Sequence, residues 1–155
     1  MYNKVPTDLN FVSREKEVDE FWKKEGVFKK TETEREGNPE YVFYDGPPTA
    51  NGKPHIGHVE TRVIKDLIPR YHTMKGQRSV RKAGWDTHGL PVELGVEKEL
   101  GITKADIDNK DSEKYISTED YNKKCRENVM MFTQEWRDLT EKMGYFVDLD
   151  NPYRG

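Results

Sequence analysis

The chain has one cysteine, Cys125, among 155 residues, which excludes an intramolecular disulfide and a multi-cysteine zinc site and suits a reducing cytoplasm. Long apolar runs are also lacking. No stretch approaches the roughly 18 residues that would suggest a membrane span, and no signal peptide opens the sequence. Nor is there an excess of positive charge: the formal net charge is −3 and the isoelectric point about 5.9. No overall basic field draws in nucleic acid, so an RNA partner would find its main electrostatic footprint elsewhere. Apolar residues are themselves scarce, at 33% against 35% charged, with a mean hydropathy of −1.03. That composition implies a thin core, or apolar faces meant for other segments. Aromatic residues are plentiful, Trp22, Trp85 and Trp136 among them, so disorder does not describe the whole.

Local patterns predict mostly helix. Ser13 can cap a first helix, with Glu15 and Glu17 in its first turn and Gly26 as its stop. Lys29 to Glu40 reads as a charged surface connection. Tyr41-Val42-Phe43-Tyr44 reads as a short buried strand entering the turn Asp45-Gly46-Pro47-Pro48. Val59, Val63, Ile64, Leu67, Ile68, Tyr71 and Met74 recur at helical spacing up to Gly76, with Pro69 predicting a bend or break near Lys65 to Ile68. A second strand is expected at Arg78 to Lys82, then a turn at Gly84 to Thr87. Leu90 to Leu100 predicts a helix closed by Gly101, and Thr103 to Ser117 a polar loop. Tyr121, Cys125, Val129, Phe132, Trp136, Leu139 and Met143, spaced 4, 4, 3, 4, 3 and 4, predict one long helix capped by Ser117 or Thr118 and ended by Gly144.

Strand, turn, helix and strand in that order begin a parallel α/β sheet, whose ligands sit at strand carboxyl ends and helix N-termini. The expected fold class is therefore α/β, a Rossmann-like parallel sheet with an N-terminal helix and a long C-terminal helix. Residues 1–40 are assigned to an N-terminal helical extension and 41–155 to the sheet domain. The chemistry falls on two turns, Asp45 to His58 and Gly84 to Gly89.

The first turn carries Pro47-Pro48-Thr49-Ala50-Asn51-Gly52-Lys53-Pro54-His55-Ile56-Gly57-His58. A helix N-terminus offers free N–H groups and a positive dipole end to a phosphate. His55 and His58, three apart, project from one side of its first turn and can donate to phosphoryl oxygens. Gly57, lacking a Cβ, would let a flat base lie against the backbone. By itself the pair also fits a surface accident or a zinc half-site, although His72, His88 and Cys125 do not have ligand spacing with it. The second turn, Arg81-Lys82-Ala83-Gly84-Trp85-Asp86-Thr87-His88-Gly89-Leu90-Pro91-Val92-Glu93, places a carboxylate, Asp86, where it could pair with a substrate ammonium or cap a helix. The stripe Val129, Phe132 and Trp136 is read as core, without chemistry.

The first string resembles the class I aminoacyl-tRNA synthetases of the isoleucine, valine and leucine subgroup. The second, with Phe43-Tyr44-Asp45-Gly46-Pro47-Pro48 upstream and Gly144-Tyr145-Phe146-Val147-Asp148 downstream, resembles the isoleucyl members in particular. The resemblance runs from Phe11 to about Tyr153. It implies a ligase that joins isoleucine to ATP as the Mg²⁺ complex and passes the acyl group to tRNA(Ile), with no metal bound by this segment. It implies that Pro48, Thr49, Asn51, His55, Gly57 and His58 bind ATP, with His55 and His58 catalytic. It also implies that Gly46, Pro47, Trp85 and Asp86 form the amino-acid site, with Asp86 on the α-amino group. A cytoplasmic location follows.

The sequence also departs from the family. The Lys-Met-Ser-Lys-Ser loop that completes the ATP site is absent, Lys142-Met143-Gly144-Tyr145 being a helix end. The chain stops where the editing insertion would begin, so proofreading is not expected. Gln77-Arg78-Ser79-Val80 replaces more apolar residues, and Arg154-Gly155 departs after Tyr153. Two alternatives to a ligand-binding catalytic fragment stand beside it: a folding or complementation piece awaiting the C-terminal part of the synthetase, and a small nucleotidyltransferase with a similar His-x-Gly-His turn.

Overall fold

The computed structural model describes Thr7 and residues 10–155. The remainder of the predicted N-terminal extension lies outside the described residues. Helix α1 spans Phe11–Glu25 and is capped by Asn10, whose side chain accepts from Ser13 N–H at 3.1 Å, so the cap is Asn10 and not Ser13. The helix thus begins before the predicted start, and Glu15 and Glu17 fall beyond its first turn. Gly26 ends it at φ 60°, a left-handed geometry that glycine adopts without Cβ strain.

The predicted surface connection after Gly26 is partly a second helix, α2, Val27–Thr33. Glu32 within it is buried, and its carboxylate accepts Arg81 N–H at 3.1 Å. A charged sequence folds inward here because that carboxylate meets a buried backbone donor and Arg81, whose guanidinium is also buried.

Helix α3, Ile56–Met74, runs uninterrupted through the buried Pro69. Of the bend or break expected near Lys65 to Ile68, the break does not occur. Strand β1 is Lys82–Trp85, later than predicted and taking in the expected turn residues Gly84 and Trp85. It pairs in parallel with β2, Asp148–Arg154, a strand that the sequence pattern does not predict. The register joins Lys82 to Asp148 and Gly84 to Tyr153, with an irregularity between. This is the parallel pairing the α/β expectation requires.

Tyr41 to Tyr44 does not form the predicted buried strand. Its flanks touch the β1 segment through isolated parallel bridges, Glu40 to Arg78 and Thr49 to Asp86. Between them Val42 is 64% and Tyr44 91% exposed. A parallel strand is stable when both faces are covered, and these side chains meet solvent.

Helix α4, Leu90–Leu100, closes on Gly101 at φ 65° as expected, and a single 3₁₀ turn at Lys104–Asp106 follows in the polar loop. The long C-terminal helix is two helices, α5 at Thr118–Asn128, capped by Ser117, and α6 at Thr133–Lys142. The helical spacing continues across the break, but Phe132 N–H donates to the carbonyl of Ala50 at 2.9 Å. That tertiary bond takes a donor the continuous helix would have kept.

The core lies where these pieces converge. Ala50, Trp85 and Trp136 are buried together, with Met130 and Phe132 packed against them. A second aromatic group joins α1, α2 and the chain after α6: Trp22 and Phe146 ring centroids are 4.9 Å apart, and Phe28 and Phe146 5.5 Å. Beside it, Arg81, Glu32 and the α3 residues Asp66 and Thr73 form a largely buried polar cluster.

Candidate functional site

The turn before α3 is held by its two histidines. His55 is the N-cap, and its Nδ1 accepts from Gly57 N–H at 3.2 Å. His58 reaches back, its Nδ1 accepting from His55 N–H at 3.0 Å. This reciprocal box satisfies two donors that a helix start leaves free. With both Nδ1 atoms accepting, the proton of each neutral ring is on Nε2. The ring centroids lie 3.7 Å apart, so the two Nε2–H donors belong to adjacent rings.

Gly57 is needed for a reason the sequence does not reveal. A Cβ there would lie 3.1 Å from His55 Cε1 and 3.2 Å from its Nδ1, so a side chain would crowd the imidazole and shift it by a few tenths of an ångström.

The histidines form one wall of a cleft of about 430 Å³ lined by Asp45 to Thr49, Asn51 to Lys53, Thr61, Arg62, Lys65 and Trp136. It gathers His55, His58, Pro48, Thr49, Asn51, Gly46 and Pro47 as predicted. Gly57 lies in the turn behind it. Lys65 donates to the carbonyl of Gly46 at 3.2 Å and pairs with the carboxylate of Asp45, fixing the strand-to-turn corner.

Trp85 and Asp86 are not part of the cleft lining. Trp85 is buried in the core against Ala50 and Trp136. Asp86 sits on the adjoining turn, its N–H donating to Pro48 O at 3.0 Å, and Thr49 bridges to it in parallel. The two predicted turns are thus one structure. Asn51 adds a second tie, donating to Pro91 O at 2.8 Å. Asp86 does not cap α4, whose N-cap is Gly89; its carboxylate accepts from His88 N–H at 3.4 Å. Among the described residues no lysine or arginine forms an ion pair with it, and only His88, at 4.0 Å, comes near.

Arg62, Lys65 and Trp136 were not singled out by sequence reasoning. A signal existed for two of them: with His58 they occupy positions i, i+4 and i+7 of one helix face. Trp136 gave only the core signal, yet its ring centroid is 4.7 Å from that of His58 and its indole N–H donates to Gly52 O at 2.9 Å.

Lys53, Arg62 and Lys65 line the cleft against one carboxylate, Asp45, so its charged lining is net positive. Burial holds the His58 imidazole below its ordinary value, and the neighbouring His55 and Arg62 push it further down. Protonating Nδ1 would also break the bond from His55 N–H. Because the folded value is the lower one, the stabilisation is complete above the ordinary 6.5 and is lost as pH falls from there through the folded value. An NMR titration of His58 is expected to give a midpoint below 6.5, and a midpoint at or above that value would contradict this environment. Among the described residues no group of three or more histidine, cysteine or carboxylate side chains converges as metal ligands would.

The family model for tRNA synthetases class I (I, L, M and V) matches residues 17–155. The chain belongs to that family. Curated relatives include the isoleucine–tRNA ligase of Clostridium novyi, 53% identical over 154 residues, which cover 99% of this chain and 14% of that protein. The isoleucine–tRNA ligase of Porphyromonas gingivalis is 59% identical over 146 residues, covering 94% of this chain and 12% of the relative. The synthetase chain therefore spans about 12–14% of the length of such relatives. Among solved structures, the LeuRS–tRNA–LeuAMS ternary complex from Agrobacterium radiobacter K84 matches with a TM-score of 0.58 and 17% identity, over 95% of this chain and 16% of that one. At that identity the likeness concerns the fold. Family membership sets aside the small-nucleotidyltransferase alternative. No helix among the described residues is long and apolar enough to cross a membrane.

Proposed function

We propose that this synthetase chain is the N-terminal part of an isoleucine–tRNA ligase catalytic domain that binds Mg²⁺-ATP and L-isoleucine. Residues 41–155 form the first half of that domain and the segment before them a helical extension. Within the longer enzyme its reaction is isoleucyl-adenylate formation followed by transfer to tRNA(Ile). The observation that carries this reading is the tie between the two turns, Asp86 N–H to Pro48 O at 3.0 Å. It joins the turn of Asp86 to the turn of Pro47 to His58, which supports a reading in which the residues that take the ammonium and those that take the polyphosphate share one scaffold.

No side chain need act as a covalent nucleophile. A carboxylate oxygen of isoleucine attacks the α-phosphorus, the bond to the bridging oxygen breaks, and pyrophosphate leaves with that oxygen's electron pair. The protein supplies orientation and charge stabilisation. Asp86 holds the α-amino group so that the carboxylate faces phosphorus. The Nε2–H groups of His55 and His58 donate to phosphoryl oxygens at the positive end of the α3 dipole. Pro48, Thr49 and Asn51 shape the nucleotide side, while Gly46, Pro47 and, from beneath, Trp85 shape the amino-acid side.

Isothermal titration separates the two halves of the site. His55→Ala is expected to weaken ATP binding roughly tenfold or more, as loss of a hydrogen bond to a charged group implies, and to spare isoleucine. Asp86→Ala should do the reverse. Absence of both binding heats, or insensitivity to both changes, would defeat the proposal.

A specific observation favours a complementing role as well. On α3, Val63, Ile64, Leu67 and Tyr71 are 54%, 55%, 61% and 51% exposed, an apolar face more continuous than a solvated helix carries. Further synthetase sequence is its natural cover. Isoleucine-dependent ATP–pyrophosphate exchange should accordingly rise when the chain is mixed with the remainder of such an enzyme.

A further inference from the structure

Arg62 is a half-buried cation without a carboxylate partner. It projects from α3 into the wall of the cleft, one turn beyond His58. Its guanidinium carbon lies 4.8 Å from the Trp136 ring centroid and 5.6 Å from that of Tyr145. One N–H group donates to the Thr140 hydroxyl, which in turn donates to Trp136 O at 2.6 Å. The nearby carboxylates are engaged elsewhere, Asp45 with Lys65 and Asp66 with Arg70 and Arg81. Among the described residues Arg62 has no ion pair. Burial pushes its pKa down, and Tyr145 and Asp45 offset only part of that.

A cation partly removed from water is unfavourable unless an anion is close by. The aromatic rings supply some compensation. They also fix the plane of the guanidinium, while Thr140 uses only one of its donors and leaves others free for the cleft. A planar fork held in one orientation matches the oxygens of a phosphate better than a mobile ammonium does.

We propose that Arg62 is a further binding residue of this cleft, its guanidinium forking onto oxygens of a polyphosphate anion. The inference rests on the ATP reading of the cleft and deepens it. The three groups that meet the anion are then two imidazole N–H donors at the start of α3 and a guanidinium one turn further along it. Trp136 and Thr140 act through Arg62 as its platform and tether.

The test uses inorganic tripolyphosphate, titrated calorimetrically against the chain, its Arg62→Met and Arg62→Lys variants and His55→Ala. Methionine keeps an apolar stem on Trp136 while removing charge and donors; lysine keeps the charge and removes the fork. Circular dichroism and urea midpoints record folding separately. Tripolyphosphate affinity is expected to fall at least tenfold in Arg62→Met and by less in Arg62→Lys, with a shallower salt dependence in the former. Unchanged affinity in both, with His55→Ala still weakened, overturns the role of Arg62 and leaves the ATP reading standing. Failure of the folded parent chain to bind tripolyphosphate also overturns it. Arg62-dependent tripolyphosphate binding without any binding of ATP upholds the anion site and removes the nucleotide from it.

Discussion

Trp136→Ala is expected to cost about 3–5 kcal/mol, the range for truncating a buried aromatic residue, and to lower the urea midpoint sharply. Trp136 is 2% exposed and forms the core with Ala50 and Trp85. That core is thin, and small domains are stable by only about 5–15 kcal/mol. The same ring is the surface on which His58 and Arg62 rest. Binding of ATP should therefore weaken together with stability. Trp136→Phe separates the two contributions: it keeps most of the packing and loses the N–H bond to Gly52 O, worth about 1 kcal/mol. Urea midpoints followed by circular dichroism make the comparison. Equal losses in the two variants would show that the hydrogen bond, and not the packing, holds this region.

Asp66→Ala should be comparably damaging, at about 3–5 kcal/mol, because it strands a buried cation. Arg81 is 5% exposed. Its guanidinium has Asp66 at 3.8 Å, the Thr73 hydroxyl at 3.0 Å and the Phe146 carbonyl at 3.5 Å. Burial pushes the Arg81 pKa down, and Asp66 is the foremost group opposing that shift. Asp66 also accepts from Arg70 at 2.6 Å and from Phe146 N–H at 3.3 Å, so one carboxylate joins α3 to the chain entering β2. The double change Asp66→Ala with Arg81→Met should recover part of the loss, since it removes the uncompensated charge along with its partner. Additive losses in that cycle would mean that the two residues act independently.

Both positions show what a linear pattern conveys. The spacing of Val129, Phe132 and Trp136 identifies a buried stripe, and two of the three are buried with Phe132 packed beside them. It cannot identify what meets Phe132 and Trp136, which is the segment from Ala50 to His58. Asp66 reads as one polar residue on the solvated side of an amphipathic helix. Its importance comes from Arg81 and Phe146, 15 and 80 residues away.

Determined by the sequence itself were the features set by neighbours along the chain. These include the Gly26 and Gly101 helix ends, the Ser117 cap, the extent of α4 and the two motif strings by which the family is identified. Their causes are local: a glycine adopts a left-handed φ, a hydroxyl accepts from an N–H three residues on, and a histidine caps the turn that follows it. The tertiary structure decided the rest. Phe132 donating to Ala50 O divided the C-terminal helix, and pairing with β1 made a strand of Asp148–Arg154. The want of cover left Val42 to Tyr44 outside any strand between the two bridges, and the Asp86 to Pro48 bond joined two distant turns. Each depends on a hydrogen-bond partner, or on burial, supplied from far along the chain, and such partners are invisible to any window of consecutive residues.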